Sequence, residues 1–190
     1  MPLLKRETEV FPQDLFDLPS DVFPWWVAHT RSRREKAVAR HLEQNGVPFY
    51  LPQRERRVRR GGRTLTSYLP LFGGYVFFRG LSRERLEALR SQFLVGVLAV
   101  EAQELLTGEL ARLRSLQGLG ASLALGAPLT PGEAVKITDG PFRGYRGIVI
   151  SEKGRQRLVV SVTMLARAVF VEFEKGIVTP VEARQAQGTA

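Results

Sequence analysis

Phe72-Gly73-Gly74-Tyr75-Val76-Phe77-Phe78-Arg79 is the stretch from which the front half of this chain is read. It is a nearly continuous apolar run behind two glycines, the pattern of a central strand. Side chains alternate along a strand, so Tyr75 and Phe77 share one face and Val76 and Phe78 the other. Upstream, Trp25-Trp26-Val27-Ala28-His29-Thr30 is aromatic and β-branched and predicts a partner strand. Ser32 and Glu35 then stand at capping-box spacing, Val38 and Leu42 form a stripe, and Gly46 supplies a stop. Val47 to Val58 reads as a strand, Gly61-Gly62 as a turn, and Arg63 to Leu69 as the returning arm of a hairpin. Downstream, Ser82 is placed to cap a helix, with Leu81 and Leu86 at hydrophobic-staple positions. Leu94 to Val100 predicts another strand. Leu105, Leu106, Leu110, Leu113 and Leu116 give the following segment a helical period. Strands and helices interspersed in this way predict an α/β sandwich over residues 23–117, preceded by a mobile arm over residues 1–22.

The texture then changes. Gly118 to Pro128 holds no charge and is rich in Gly, Ala, Ser and Leu, so residues 118–130 read as a linker. Residues 131–183 are all β in character, with short runs at 134–137, 147–150, 158–162, 168–173 and 177–179, and residues 184–190 form a tail. Five such short strands fit a small closed barrel, which leaves no sheet edge exposed. The fold class is therefore α+β, a sandwich around a mainly antiparallel sheet followed by a small barrel.

Composition excludes several classes. The chain has 190 residues, no cysteine and only two histidines, His29 and His41, so disulfides, thiolate sites and a histidine-rich metal centre are not expected. No run approaches the roughly 18 to 20 apolar residues of a membrane span. The opening Met1-Pro2-Leu3-Leu4-Lys5-Arg6 lacks the order of an export leader, and the expected location is cytoplasmic. There is no phosphate-cradling Gly-x-x-x-x-Gly-Lys loop and no Gly-x-Ser-x-Gly elbow. Glu101, Glu104 and Glu109 read as a solvated helix face without a histidine partner. No enzymatic activity, cofactor or metal is expected. Net charge is +9, and Arg54, Arg56, Arg57, Arg59, Arg60 and Arg63 stand against the single acid Glu55 in ten residues. Such a cluster is either a footprint for nucleic acid or a solvated hairpin of a basic protein, and composition leaves both open.

Val135-Lys136-Ile137-Thr138-Asp139-Gly140-Pro141-Phe142-Arg143-Gly144-Tyr145-Arg146-Gly147-Ile148-Val149 resembles the KOW core of NusG proteins, an SH3-like barrel. Trp25-Trp26-Val27, a capped helix and Pro70-Leu71-Phe72-Gly73-Gly74-Tyr75-Val76-Phe77 resemble the NusG N-terminal (NGN) domain, with Gly73 where that family prefers proline. Met164-Leu165-Ala166 resembles what specialised paralogues akin to RfaH carry.

The resemblance implies a monomeric transcription elongation and antitermination factor with no membrane role. It implies that the NGN domain binds the clamp helices of the RNA polymerase largest subunit through Phe72, Tyr75, Phe77 and Tyr50. It implies contact with the non-template DNA strand at Arg31, Arg34 and His41, and the hairpin arginines Arg56, Arg57, Arg59 and Arg60 add phosphate-binding charge. On the KOW domain, Phe142, Met164 and Leu165 match the partner surface, whose partner would be a small-subunit ribosomal protein or Rho. The competing reading is a generic RNA-binding or ribosome-associated KOW protein.

Overall fold

The computed structural model describes residues 5–118 and, beyond them, the segments 123–126, 134–137, 146–152, 155–162, 165, 167–173 and 178–180. The front domain is built on a five-stranded antiparallel sheet. Its strands are β1 (Val10–Phe11), β2 (Trp25–Thr30), β3 (Phe49–Tyr50), β6 (Tyr75–Arg79) and β7 (Leu94–Ala99), arranged β1-β3-β6-β2-β7. Helices α1 (Glu35–Gln44) and α2 (Ser82–Arg90) cover one face, and α3 (Gln103–Gly118) covers the other. Strands β4 (Gln53–Arg60) and β5 (Arg63–Pro70) form a two-stranded ribbon of their own.

The period-2 reading of the central strand holds. Val27 faces Phe77 and His29 faces Tyr75 across β2 and β6, while Ala28 faces Val76. Trp25, Val27, Tyr50 and Phe77 pack with Leu106, Leu110, Leu113 and Leu116 of α3. Ala28, Phe49, Val76 and Phe78 pack with Val38 and Leu42 of α1 and Ala88 of α2. Each fully buried leucine of the α3 stripe contributes roughly 2 kcal/mol by leaving water. Helix α1 ends as its glycine predicts. Gly46 takes φ 66°, Gly46 N–H donates to Glu43 O at 3.1 Å, and Val47 N–H donates to Leu42 O at 2.9 Å. Those two bonds, with buried Val47 beside Leu42, make a Schellman stop.

Several expectations are corrected. Residues 5–22 are not a loose arm: β1 pairs with β3, and Leu15, in a short 3-10 turn (Leu15–Asp17), is wholly buried. The capping box of α1 is not formed. Glu35 is the first helical residue, and its carboxylate accepts the Gly74 N–H at 2.6 Å instead. On α2 the first residue outside the helix is Leu81 rather than Ser82, and the Glu84 carboxylate accepts the Leu81 N–H at 2.8 Å. The staple leucines Leu81 and Leu86 both remain exposed.

Beyond α3 lies a second antiparallel sheet. Its strands are β8 (Leu123–Gly126), β9 (Ala134–Ile137), β10 (Arg146–Glu152), β11 (Arg155–Val162), β12 (Arg167–Phe173) and β13 (Val178–Pro180), in the order β13-β9-β10-β11-β12-β8. Each of the five predicted runs falls on one of these strands, with residue 177 of the last run outside the described residues. The sixth strand, β8, falls in the stretch read as a linker and pairs with β12 from Leu123↔Val171 to Gly126↔Ala168.

Candidate functional site

Two surfaces of the front domain carry the chemistry, and the first begins at the turn before β6. Gly74 at φ 88° reverses the chain where a side chain would be strained. Gly74 O accepts the Thr30 N–H at 2.8 Å while Gly74 N–H is held by Glu35, so the turn is fixed from both sides. Tyr75 is thereby set on the α3 face of the sheet, half-buried, with its ring stacked on His29 at 5.2 Å.

Its expected companions lie elsewhere. Phe77 and Tyr50 are 0% exposed and Phe72 is 2% exposed, so all three belong to the core and not to a surface patch. Phe72 meets Phe77 edge-on at 5.7 Å, and the Tyr50 hydroxyl donates to Gln117 Oε1 at 2.6 Å. Burial pushes the Tyr50 phenol well above its ordinary range, and the nearby Glu9 adds to that shift. Alternation placed Tyr75 and Phe77 on one face correctly; α3 then seals the Phe77 part of that face and leaves Tyr75 partly open.

The apolar surface on this side lies along β7 and the start of α3. Leu98, paired with Val27, is 44% exposed, and Leu105 is 52% exposed. Between strand and helix runs a hollow of about 250 Å³ lined by Ala99, Val100, Ala102, Leu105 and Leu106, with Glu101 and Glu109 also in its wall. Glu109 itself is buried, not part of a solvated helix face.

Residues 23–104 match the family model described as "Transcription termination factor nusG". Over those residues the chain is similar to the NusG family. Among solved structures, one titled "Domain interaction in Thermotoga maritima NusG" is similar at 19% identity and TM-score 0.49, over 86% of this chain and all of that one. Another, titled "Crystal Structure of MjSpt4:Spt5 complex conformation B", is similar at 15% identity and TM-score 0.26, over 83% of this chain and 96% of that one. No curated protein matches the chain.

The second surface of the front domain is the β4–β5 ribbon. Cross-strand pairing assigns its residues to two faces, since directly opposed residues point the same way. Arg54/Leu69, Arg56/Ser67 and Val58/Leu65 lie on one face, and Arg63 continues it in steps of two. Glu55/Tyr68, Arg57/Thr66 and Arg59/Thr64 lie on the other. The predicted arginine group is therefore split between opposite sides. Arg56, Arg57, Arg59 and Arg63 are all exposed, and Arg57 is ion-paired with Glu55. The backbone of Arg60 pairs with that of Arg63 beside the tip.

The remaining DNA candidates sit near α1. Arg31 is exposed, and Arg34 rests its guanidinium over the Phe93 ring at 5.3 Å. His41 is not a free surface histidine: its Nε2 lies 2.9 Å from Glu87 O and 3.2 Å from Glu87 Oε1, linking α1 to α2. Of the C-terminal candidates, Phe142 and Met164 lie outside the described residues. Leu165 is half-buried and packs against the apolar cluster on the α3 side of the front domain.

Two polar residues that hold the domain together are missed by sequence reading. Arg79 is wholly buried; its Nε donates to Phe23 O at 2.7 Å, its Nη1 to Leu15 O and Leu18 O, and its Nη2 to Ser20 Oγ. Its guanidinium also lies over the Trp25 ring at 4.9 Å. The only available signal is an arginine closing an otherwise apolar strand. Glu35 is the other, concealed by its fit to the capping-box pattern. Among the described residues there is no group of three or more metal-ligating side chains, and no helix long and apolar enough to cross a membrane.

Proposed function

We propose that this chain is a non-enzymatic transcription elongation factor that acts through binding energy alone, docking on RNA polymerase through its front domain. The observation that carries the reading is the apolar shelf of exposed Leu98 and Leu105 beside the β7–α3 hollow, with half-buried Tyr75 farther along the same face of the sheet, on a domain that matches the NusG family model. A shelf of this shape suits an amphipathic helix laid into a groove, as the clamp helices of the largest subunit would be. Tyr75 is the anchor: a large rigid ring with little entropy to lose, already oriented by His29. Preferential affinity for the elongating conformation then selects it and suppresses pausing. Arg31 and Arg34 supply charge for the non-template strand, and the ribbon arginines supply charge for nucleic-acid phosphate, at the cost of salt sensitivity. The second sheet recruits a further partner, a small-subunit ribosomal protein or Rho. The Met164-Leu165-Ala166 segment favours a specialised antiterminator over a housekeeping factor.

Tyr75→Ala combined with Leu105→Ala tests the docking. Both side chains are partly or largely exposed, so the thermal transition should scarcely move. If each is worth about 2 kcal/mol at the interface, binding to polymerase falls roughly a thousandfold. Nuclease-treated pull-downs should recover polymerase with the native chain and not with the variant. Undiminished recovery with the variant removes this surface from the interface. An eluate of ribosomal RNA that nuclease abolishes supports the ribosome-associated reading instead.

A further inference from the structure

The β4–β5 ribbon carries two exposed arginines on each face: Arg56 and Arg63 on one, Arg57 and Arg59 on the other. Its tip is Gly61-Gly62, at φ 55° and 75°, with open space around both. The tip thus has no side chain, the flanks are basic on both sides, and the ribbon belongs to no larger sheet. From Arg54 to Ser67 the sequence contains no aromatic residue. Tyr68, at the ribbon's base, is already covered by the Arg6 guanidinium at 5.7 Å.

These features discriminate among forms of nucleic acid. Single strands are held by one charged groove together with aromatic rings on which bases stack, and this ribbon has neither. Charge on two opposite faces suits an element with phosphates on both sides of it, as they lie across the groove of a duplex. The major groove of B-form DNA, about 12 Å wide and about 8.5 Å deep, admits a two-stranded ribbon as it stands, whereas the minor groove, about 6 Å wide, takes one only where the duplex is bent and the groove opened. The A-form major groove is deep and too narrow for side chains to read.

We infer that the β4–β5 ribbon enters the major groove of double-stranded DNA tip first, with Arg56 and Arg63 on one wall and Arg57 and Arg59 on the other. The glycine tip lets the backbone approach the groove floor. Thr64 and Thr66, opposite Arg59 and Arg57, add hydroxyl donors to phosphate on their wall. The inference deepens the nucleic-acid reading above and rests on it, naming duplex DNA as the ribbon's ligand.

Fluorescence anisotropy with the full chain tests it on a 20-base-pair DNA duplex, the corresponding single strand and an RNA duplex of the same sequence, across a salt series. The DNA duplex should bind tightest. Arg56→Ala/Arg63→Ala and Arg57→Ala/Arg59→Ala should each make the slope of log affinity against log salt shallower by about 1.8, two phosphates at about 0.9 each. Methyl green, which occupies the major groove, should compete, and netropsin, which occupies the minor groove, should not. Equal or tighter binding of the single strand or the RNA duplex overturns the inference. So does displacement by netropsin alone, an unchanged slope in either double variant, or no binding to any of the three. Polymerase recovery in the nuclease-treated pull-down is scored separately. If it persists while duplex binding fails, only the ribbon's role falls.

Discussion

Arg79 and Arg57 lie in different sheets of one domain, and they show how position decides what an arginine does. Arg79 closes β6 inside the protein, where three backbone carbonyls and a hydroxyl take up its donors. Arg57 stands in solvent on β4 with one carboxylate beside it. The first charge is consumed in holding residues 15–23 against the sheet, and desolvation lowers its proton affinity from the usual arginine value. The second remains available to a ligand because its side chain is exposed. The aromatic residues divide in the same way: Phe77 is sealed under α3, while Tyr75, two residues earlier on the same face, is half-open.

The contrast is tested most strongly at Phe77. If it is core, Phe77→Ala should cost roughly 3–5 kcal/mol, the usual penalty for emptying an aromatic site in a packed interior. Urea denaturation would show the midpoint falling with little change in slope. Native-like stability accompanied by loss of polymerase binding would move Phe77 to the docking surface beside Tyr75.

Arg79→Met comes next. It keeps most of the side-chain volume but leaves Leu15 O, Leu18 O and Phe23 O without a donor. Hydrogen bonds to a charged group carry about 1.5–3 kcal/mol each, and part of that is recovered as water reaches the loosened loop. A loss of about 3 kcal/mol is expected, with amide exchange accelerating first over residues 15–23. Uniform acceleration across the domain, with no early opening there, would mean that Arg79 does not specifically fasten that segment.

Much of this architecture is legible in the residues. The strands β2, β6 and β7 and the helix α3 follow from periodicity, because a two-sided core imposes period 2 on the sheet and period 3.6 on its cover. The depth of burial was less legible. A period assigns Tyr75 and Phe77 to one face, but how far α3 extends over that face depends on a tertiary packing that no local pattern encodes. The packing of residues 5–22 was hidden for a related reason. The two-residue strand β1 has no detectable period, and Leu15 is buried in a segment held by Arg79, sixty-four positions away. The Ser32/Glu35 pattern misled because Glu35 has a better use, the N–H of Gly74. On the ribbon, composition located the charge, but only the register Arg57↔Thr66 and Arg56↔Ser67 separated it into two faces.

Tyr50 gives the smallest effect and the sharpest test of what is sealed. Its hydroxyl, buried and bonded to Gln117, holds its proton far more tightly than a phenol in water. In the unfolded chain the same group ionises near its ordinary value of 10.0. The folded-state pKa is therefore raised above the unfolded one. The contribution is fully present below pH 10 and is lost as pH climbs above it, because only the unfolded state then gives up its proton. The slope approaches about 1.4 kcal/mol per pH unit. Tyr50→Phe should cost about 1 kcal/mol at neutral pH, the net worth of one hydrogen bond. It should also flatten the alkaline limb of the stability curve by that slope. If Tyr50 were instead an open docking residue, it would titrate alike in both states, and native and variant chains would lose stability in parallel above pH 10.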